Sequence, residues 1–503
     1  LIQNTILLVR HRGLLTATLM ITVVIQTLDI TIANVAIPEM QGSLSATQDQ
    51  IAWVLTSYIV ATAIVTPLTG TLAARFGRRR LFIAIIIGFT LASMACGASG
   101  SLSEIVLCRV LQGVFGALMP PLTQALLLDL YAIEDRARVM SLFGIGVMIG
   151  PLLGPTLGSY LTDAMSWRAV FYVNVPFGVL AVLGVLAYLP GGERRGALRF
   201  DVLGFAFLSL AIGALQMMLD RGEMRDWLAS PEIVAELVLA GLAFYLFAVH
   251  IATARAPFLD LAMFHDRNMT AGLILIFVFG ATTLATMALL PPFLSALLGY
   301  PTRDIGLALV PRGLGTTVAM IASGKVLNRM DPRLLVLAGT GCVALSLWGM
   351  AEFDLIMGVW PIVWTGIVQG FGLGIVFMTL TVASFNTLAP RFRTDAAALF
   401  TLIKNIGSSF GVAAVMSFLA NGTQASHAML ASYVTPYNRA LQAASASGWN
   451  IDLPSGLAAL DGEVLRQAGL IGFLNDFRLM AIVCLISMPL ALLFQPKEGP
   501  ARA

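Results

Sequence analysis

Charge is the scarcest ingredient of this chain. Asp, Glu, Lys and Arg make up 11% of its 503 residues, against about 25% in soluble domains, and the mean hydropathy is +0.87. A water-soluble globule is excluded. Histidine is almost as rare: the four, at positions 11, 250, 265 and 427, fall near helix ends or in loops. They assemble no convergent nucleophile–base or metal set, so an enzymatic reading has no site. Cys96, Cys108, Cys342 and Cys484 all lie inside apolar runs, which argues against a disulfide framework and against Cys/His metal spacing. No cofactor and no nucleic-acid partner is expected. Short segments of alternating polarity are also missing, which excludes a transmembrane β-barrel.

Apolar length is what the chain has instead. Runs of some 20 apolar residues recur from end to end and predict an all-α integral membrane protein. About fourteen spans lie near 14–37, 51–73, 81–98, 104–128, 138–160, 168–189, 201–220, 232–252, 268–294, 304–327, 333–352, 358–386, 395–419 and 476–494. Arginine-rich and arginine-poor turns alternate between them. Placing the N-terminus inside collects Arg75, Arg78, Arg79, Arg80, Arg136, Arg138, Arg391 and Arg393 on the cytoplasmic side, so both termini are expected there. The first span lacks a cleavage site and reads as an anchor rather than a removed signal.

The fifth span stands out. Gly146, Gly150, Gly154 and Gly158 recur every four residues, with Pro151 and Pro155 among them. Interior Gly and Pro cost about 1 and about 3 kcal/mol per residue in a water-exposed helix. In a bilayer, neighbouring helices re-satisfy what a proline frees, and a bare stripe lets another backbone approach closely.

The chain also repeats. At a shift of 257 residues, Gln112-Gly113 matches Gln369-Gly370, Ile149-Gly150 matches Ile406-Gly407, and Gly154 matches Gly411. At 254, Gly70, Arg75 and Arg79 match Gly324, Arg329 and Arg333. Both shifts span eight predicted helices. The expected organisation is a cytoplasmic segment 1–13, a six-helix half at 14–200, two inserted helices at 201–267, a second six-helix half at 268–494 with an outer loop at 420–475, and a cytoplasmic tail at 495–503. Such paired halves are the architecture of alternating-access transporters. Ser408 and Val412 replace the prolines in the second half.

Several stretches resemble motifs of one family. L-D-I-T-I-A-N-V-A-I-P (28–38), G-T-L-A-A-R-F-G-R-R-R (70–80), R-V-L-Q-G-V-F-G-A (109–117) and G-P-L-L-G-P-T-L-G-S (150–159) are similar, in order, to signatures of the major facilitator superfamily. They fit its fourteen-helix drug:proton antiporter branch. S-W-R-A-V-F-Y-V-N-V-P-F-G (166–178) and L-V-P-R-G-L-G (309–315) resemble its EmrB-type subgroup. The resemblance implies a multidrug exporter in a bacterial inner membrane, driven by the proton gradient. It ties the Gly/Pro pattern of the fifth helix to export and makes Gly70, Arg75, Gly77, Arg78 and Arg79 a conformational loop motif. It also implies a periplasmic adaptor and an outer-membrane channel as partners. One departure is Ala74, where the family usually has an acid; Asp129 is placed to substitute by facing Arg78 or Arg79.

Asp29 is the one carboxylate well inside a predicted span, roughly 12 Å from the outer end at 1.5 Å per residue. Charges at that depth are functional by default, and Arg109 in the fourth span is the nearest candidate counter-cation. The expected role is proton coupling; the competing role is a structural ion pair between helices one and four. Arg312 and Lys404 are deep cations without an evident acid, so the cavity is expected to suit lipophilic neutral or weakly acidic compounds rather than multiply cationic ones. Gln26, Leu28, Asn34, Trp53, Tyr58, Gln112, Met119, Asn174, Gln369, Phe377, Phe385, Asn386 and Asn405 are expected to border it. Glu104, Glu236 and Asp476 read as interfacial groups at outer helix ends, and 420–475 as a partly amphipathic hairpin at the membrane surface. Competing readings are an exporter of one metabolite or fatty acid, an uptake symporter and a non-transporting receptor.

Overall fold

The computed structural model describes residues 11–191, 201–254, 259–327, 330–435, 437–438, 441 and 453–495. Among them every regular element is helical. Fourteen helices are long and apolar enough to cross a membrane. They are α1 (Arg12–Val35), α2 (Trp53–Phe76), α3 (Arg78–Ala98), α4 (Leu102–Leu130), α5 (Glu134–Ala164), α6 (Ala169–Tyr188) and α7 (Val202–Arg221). They continue as α8 (Pro231–Thr253), α9 (Arg267–Leu297), α10 (Asp304–Val326), α11 (Pro332–Met350), α12 (Val359–Asn386), α13 (Arg393–Ala431) and α14 (Pro454–Leu493). The fourteen-span, all-α expectation is borne out.

The glycine stripe of α5 seats α1. A Cβ at Gly150 or Gly154 would run into Thr27 or Thr31, and one at Gly158 would lie 3.0 Å from Ile32 Cγ1. The Thr31 hydroxyl donates to the Gly150 carbonyl at 2.9 Å. The repeat mates act alike, since a Cβ at Gly407 or Gly411 of α13 would collide with the α9 backbone at Phe277 or Ala281. Helix α5 runs through both prolines without interruption. Pro155 is exposed, and the Pro151 side chain lies outside the described residues.

Other repeat pairs also play matching parts. Arg79 donates to the Leu186 carbonyl on α6 at 2.7 Å, and Arg333 to the Phe494 carbonyl beyond α14 at 2.6 Å. Each ties the third helix of its repeat to the sixth. Gly70 of α2 meets Asp395 of α13, while Gly324 of α10 faces the Ala137 carbonyl and Ser141 of α5. These contacts lie at the end of the bundle that carries the α2–α3 turn, here the loop-motif end. Gly77 forms that turn with φ +81°, a left-handed value that costs glycine nothing.

Two expectations need correction. The outer loop expected at 420–475 is shorter: residues 423–431 continue α13, which has 39 residues, and α14 begins at Pro454 and has 40. At 1.5 Å per residue each is about 60 Å long, twice a bilayer core of about 30 Å. The two projecting ends pair with each other, with Gly472 against Thr423 and Leu419 and His427 Nε2 3.0 Å from Asp461. Their partial amphipathic spacing serves this helix–helix contact. Asp476 does not snorkel outward: its side chain is 0% exposed, packed among neighbouring helices.

Candidate functional site

The buried charge pair sits among α1, α2, α3, α4 and α6. Asp29 and Arg109 are both 0% exposed. Helix α4 carries Arg109 and Gln112 one turn apart, so both reach the same carboxylate. Arg109 Nη1 donates to Asp29 Oδ2 at 2.7 Å. Gln112 Nε2 donates to Asp29 Oδ1 at 2.7 Å, and Asn174 Nδ2 to the same oxygen at 2.8 Å. Arg109 also donates to the Gln112 Oε1 at 2.7 Å and to the Val54 carbonyl at 3.0 Å. Its guanidinium lies 4.2 Å from the Tyr58 ring centroid. Gln26 Nε2 reaches the Tyr58 hydroxyl at 3.4 Å.

Such a cage satisfies the desolvation rule: a buried charge persists only when paired and hydrogen-bonded. It also has slack, for Arg109 Nη2 and Asn174 Oδ1 have no protein partner among the described residues.

The other expected cavity residues divide. Gln369 is buried and donates to the Thr286 hydroxyl at 3.1 Å. Arg312 donates to the Thr283 carbonyl at 3.1 Å, and its Nη1 has no protein partner among the described residues. Lys404 and Asn405 are half-buried on α13, Trp53 is half-buried at the start of α2, and Leu28 is buried on α1. Met119 sits in the apolar core. Phe377 pairs with Phe279 at 5.5 Å, and Phe385 with Phe400 at 5.5 Å. Asn34 and Asn386 are exposed and stand outside both buried networks.

At the loop-motif end Asp129 receives Arg78 at 2.5 Å and Arg393 at 2.7 Å, while Arg78 reaches the Thr394 hydroxyl at 3.3 Å. The carboxylate thus meets Arg78 but not Arg79, and it also clasps the far half through Arg393. Arg75 is exposed. Sequence reasoning missed Arg393. The 257-residue shift pairs Arg393 with Arg136, which marks the position but not its partner. Sequence reasoning also missed Ser93, which accepts from Asn174 at 3.0 Å; a lone serine in an apolar run gives no signal.

Fourteen apolar helices whose halves meet at one end, with a caged ion pair buried inside the first half, make up a transporter fold. The model of the Major Facilitator Superfamily matches residues 19–412, and the chain belongs to that family. Over 432 residues it is 35% identical to the multidrug export protein EmrB of Escherichia coli (strain K12), covering 86% of this chain and 84% of that protein. Over 484 residues it is 32% identical to the fatty acid resistance protein FarB of Neisseria gonorrhoeae, covering 96% of each. Among solved structures it resembles the human organic anion transporter MFSD10 (TETRAN), with TM-score 0.63 at 11% identity over 95% of this chain and 99% of that one. The proton:xylose symporter XylE gives TM-score 0.59 at 13% identity over 92% of this chain and 94% of that one. At such identities the likeness to both is one of fold. The family read from the sequence motifs is borne out.

Proposed function

We propose that the chain is a proton-coupled multidrug exporter working by alternating access, with Asp29 as the proton carrier and Arg109 as its internal competitor. The observation that carries this reading is the 2.7 Å ion pair at zero exposure in the first half's interior. Arg109 and a proton compete for one carboxylate, so loading a proton loosens α1 from α4 and unloading it restores the cage. The relation to EmrB supports multidrug export. On this reading both termini lie on the cytoplasmic side of a bacterial inner membrane, which the arginine bias of the turns supports, and the α13–α14 projection faces the periplasm. That projection is where an adaptor, and through it an outer-membrane channel, would meet the exporter.

Arg312 and Lys404 give the second half cationic groups that no carboxylate neutralises within salt-bridge distance among the described residues. Lipophilic neutral and weakly acidic substrates follow. A narrower reading, export of fatty acids, is favoured by the relation to FarB, a fatty acid resistance protein by name. Proton flux in proteoliposomes decides between them. Substrate-driven flux is expected with several unrelated neutral and acidic lipophiles and is lost in Asp29→Asn. Flux with fatty acids alone selects the narrower reading, and coupled transport surviving in Asp29→Asn sinks the proton role.

A further inference from the structure

The second half keeps the outline of the Asp29 cage but fills it with other groups. At the 257-residue shift Thr286 stands for Asp29, Gly366 for Arg109 and Gln369 for Gln112. At 254, Arg312 stands for Tyr58 and Thr316 for Thr62. Packing agrees with that second pairing. A Cβ at Gly113 would run into the Tyr58 carbonyl and the Thr62 hydroxyl, and one at Gly370 into the Arg312 carbonyl and the Thr316 hydroxyl. The first half therefore holds an arginine, its acid and a tyrosine, whereas the second holds an arginine at the tyrosine position and no acid at the Asp29 position.

Arg312 is 6% exposed. Its Nη2 reaches from α10 to the Thr283 carbonyl of α9 at 3.1 Å, while Nη1 has no protein partner among the described residues. Gln369 of α12 donates to Thr286, one turn further along α9, so both side chains converge on one stretch of that helix. Gly366 is buried, yet a Cβ added to it would meet only Arg312, at 3.7 Å. One turn on, a Cβ at Gly370 would collide. The room beside Arg312 thus lies at the position whose mate carries the Arg109 side chain. Arg312 stands about 12 Å into α10, near the midplane of a core of about 30 Å, where transporters of this architecture bind substrate. A buried charge persists only when it is paired and hydrogen-bonded, and to Arg312 the described residues offer a carbonyl but no anion. We propose that the anion is the substrate's own: the ionised head of a lipophilic acid, a carboxylate or phenolate, docks on Arg312 beside Gly366 as Asp29 docks on Arg109. Arg312 then selects acids over neutral lipophiles of the same shape, through a charge-assisted hydrogen bond. This assignment rests on the exporter reading. It puts the proton and the substrate's charge in separate halves, so neither competes for the other's partner.

Binding tests this apart from transport. Equilibrium dialysis of the full chain in lipid nanodiscs, against protein-free discs, compares octanoate with methyl octanoate at neutral pH. Octanoate is ionised there, and the ester keeps chain and carbonyl without the charge. The native protein should hold octanoate at least about tenfold more tightly than the ester. Arg312→Gln leaves an amide to bond Thr283 and removes the charge, so the preference should fall to within about twofold. Arg312→Lys should keep a preference of about threefold or more. Gly366→Asp sets a carboxylate of the chain beside Arg312 and should also reduce the preference to within about twofold. If Arg312→Gln does not fold, Arg312→Lys and Gly366→Asp decide. No preference in the native chain, its survival in Arg312→Gln or Gly366→Asp, or its loss in Lys404→Gln alone overturns the assignment. Octanoate preference without substrate-driven proton flux sinks the exporter reading and leaves the site standing. Flux driven by neutral lipophiles, with no octanoate preference, does the reverse.

Discussion

In the first half Gln112 donates to Asp29 at 2.7 Å; 257 residues later Gln369 donates to Thr286 at 3.1 Å. The positions correspond, because Thr286 is the repeat mate of Asp29 and Gly366 that of Arg109. A glutamine on the fourth helix of each repeat reaches the first helix, and only in the first half does it meet a charged group. In the second half the space near Gly366 is bordered by Arg312, whose Cβ would lie 3.7 Å from a Cβ placed on that glycine. Architecture is therefore shared between the halves, and titratable chemistry is not.

The sharpest test removes the cation. Arg109→Met leaves Asp29 buried beside two amides alone, and breaking a buried pair in this way costs about 3–5 kcal/mol. Thermal unfolding in detergent should drop accordingly, and substrate-driven proton flux should vanish. The matched change in the other half, Thr286→Val, strands the Gln369 amide and costs about 1–3 kcal/mol while leaving coupling in place. Loss of coupling in Thr286→Val would show that the halves share the chemistry after all.

Where the halves are alike, matched substitutions should hurt alike. Gly150→Ala drives a methyl into the α1 backbone at Thr27, and Gly407→Ala into the α9 backbone at Phe277. Overpacking of this kind costs about 1–3 kcal/mol, so the two variants should lose similar stability. A large effect in one and none in the other would make the stripe a local device rather than repeat architecture.

Much of this was legible in the sequence, for physical reasons that differ by level. Spans are readable because a bilayer imposes length and polarity together, and the repeat because glycine seams tolerate few alternatives. Asp29 and Arg109 stood out because charge is so expensive among Leu and Ile. The illegible part was polar geometry. Asn34, Asn386 and Gln112 look equivalent as letters, yet only Gln112 turns toward the carboxylate, and helical phase decides which. Asp476 read as a snorkelling group from its place near a span's outer end, whereas its side chain is buried against neighbouring helices. The Asp129–Arg393 contact joins residues 264 apart, a pairing that no local pattern encodes.

That contact supplies the next test, since it is where the halves meet rather than differ. Asp129→Asn removes both ion pairs at the loop-motif end. The carboxylate is 14% exposed, so solvent screens part of its attraction, and a loss of about 1–2 kcal/mol is expected from charge-assisted bonds weakened in this way. The closed end should open roughly five- to thirtyfold more often. A cysteine in place of Ser141, buried where Gly324 abuts α5, should then react faster with an impermeant thiol reagent. An unchanged labelling rate would leave closure to the glycine contacts alone.

The smallest effect belongs to the feature that separates the two stripes. Pro155 has Val412 as its repeat mate, and α13 runs as one helix through that position, so the seam itself does not require proline. Pro155 is exposed, and Pro155→Val returns an N–H to the carbonyl four residues back without adding bulk to the α1 contact. Stability should hold or rise. The expected cost is functional: a helix with its full hydrogen-bond ladder flexes less, so substrate-free proton leak in proteoliposomes should shift by about twofold, equivalent to roughly 0.4 kcal/mol on a barrier. If leak and coupled flux both stay at native values, Pro155 is a lipid-facing residue of no mechanical consequence, and the asymmetry between the halves contracts to the Asp29 cage.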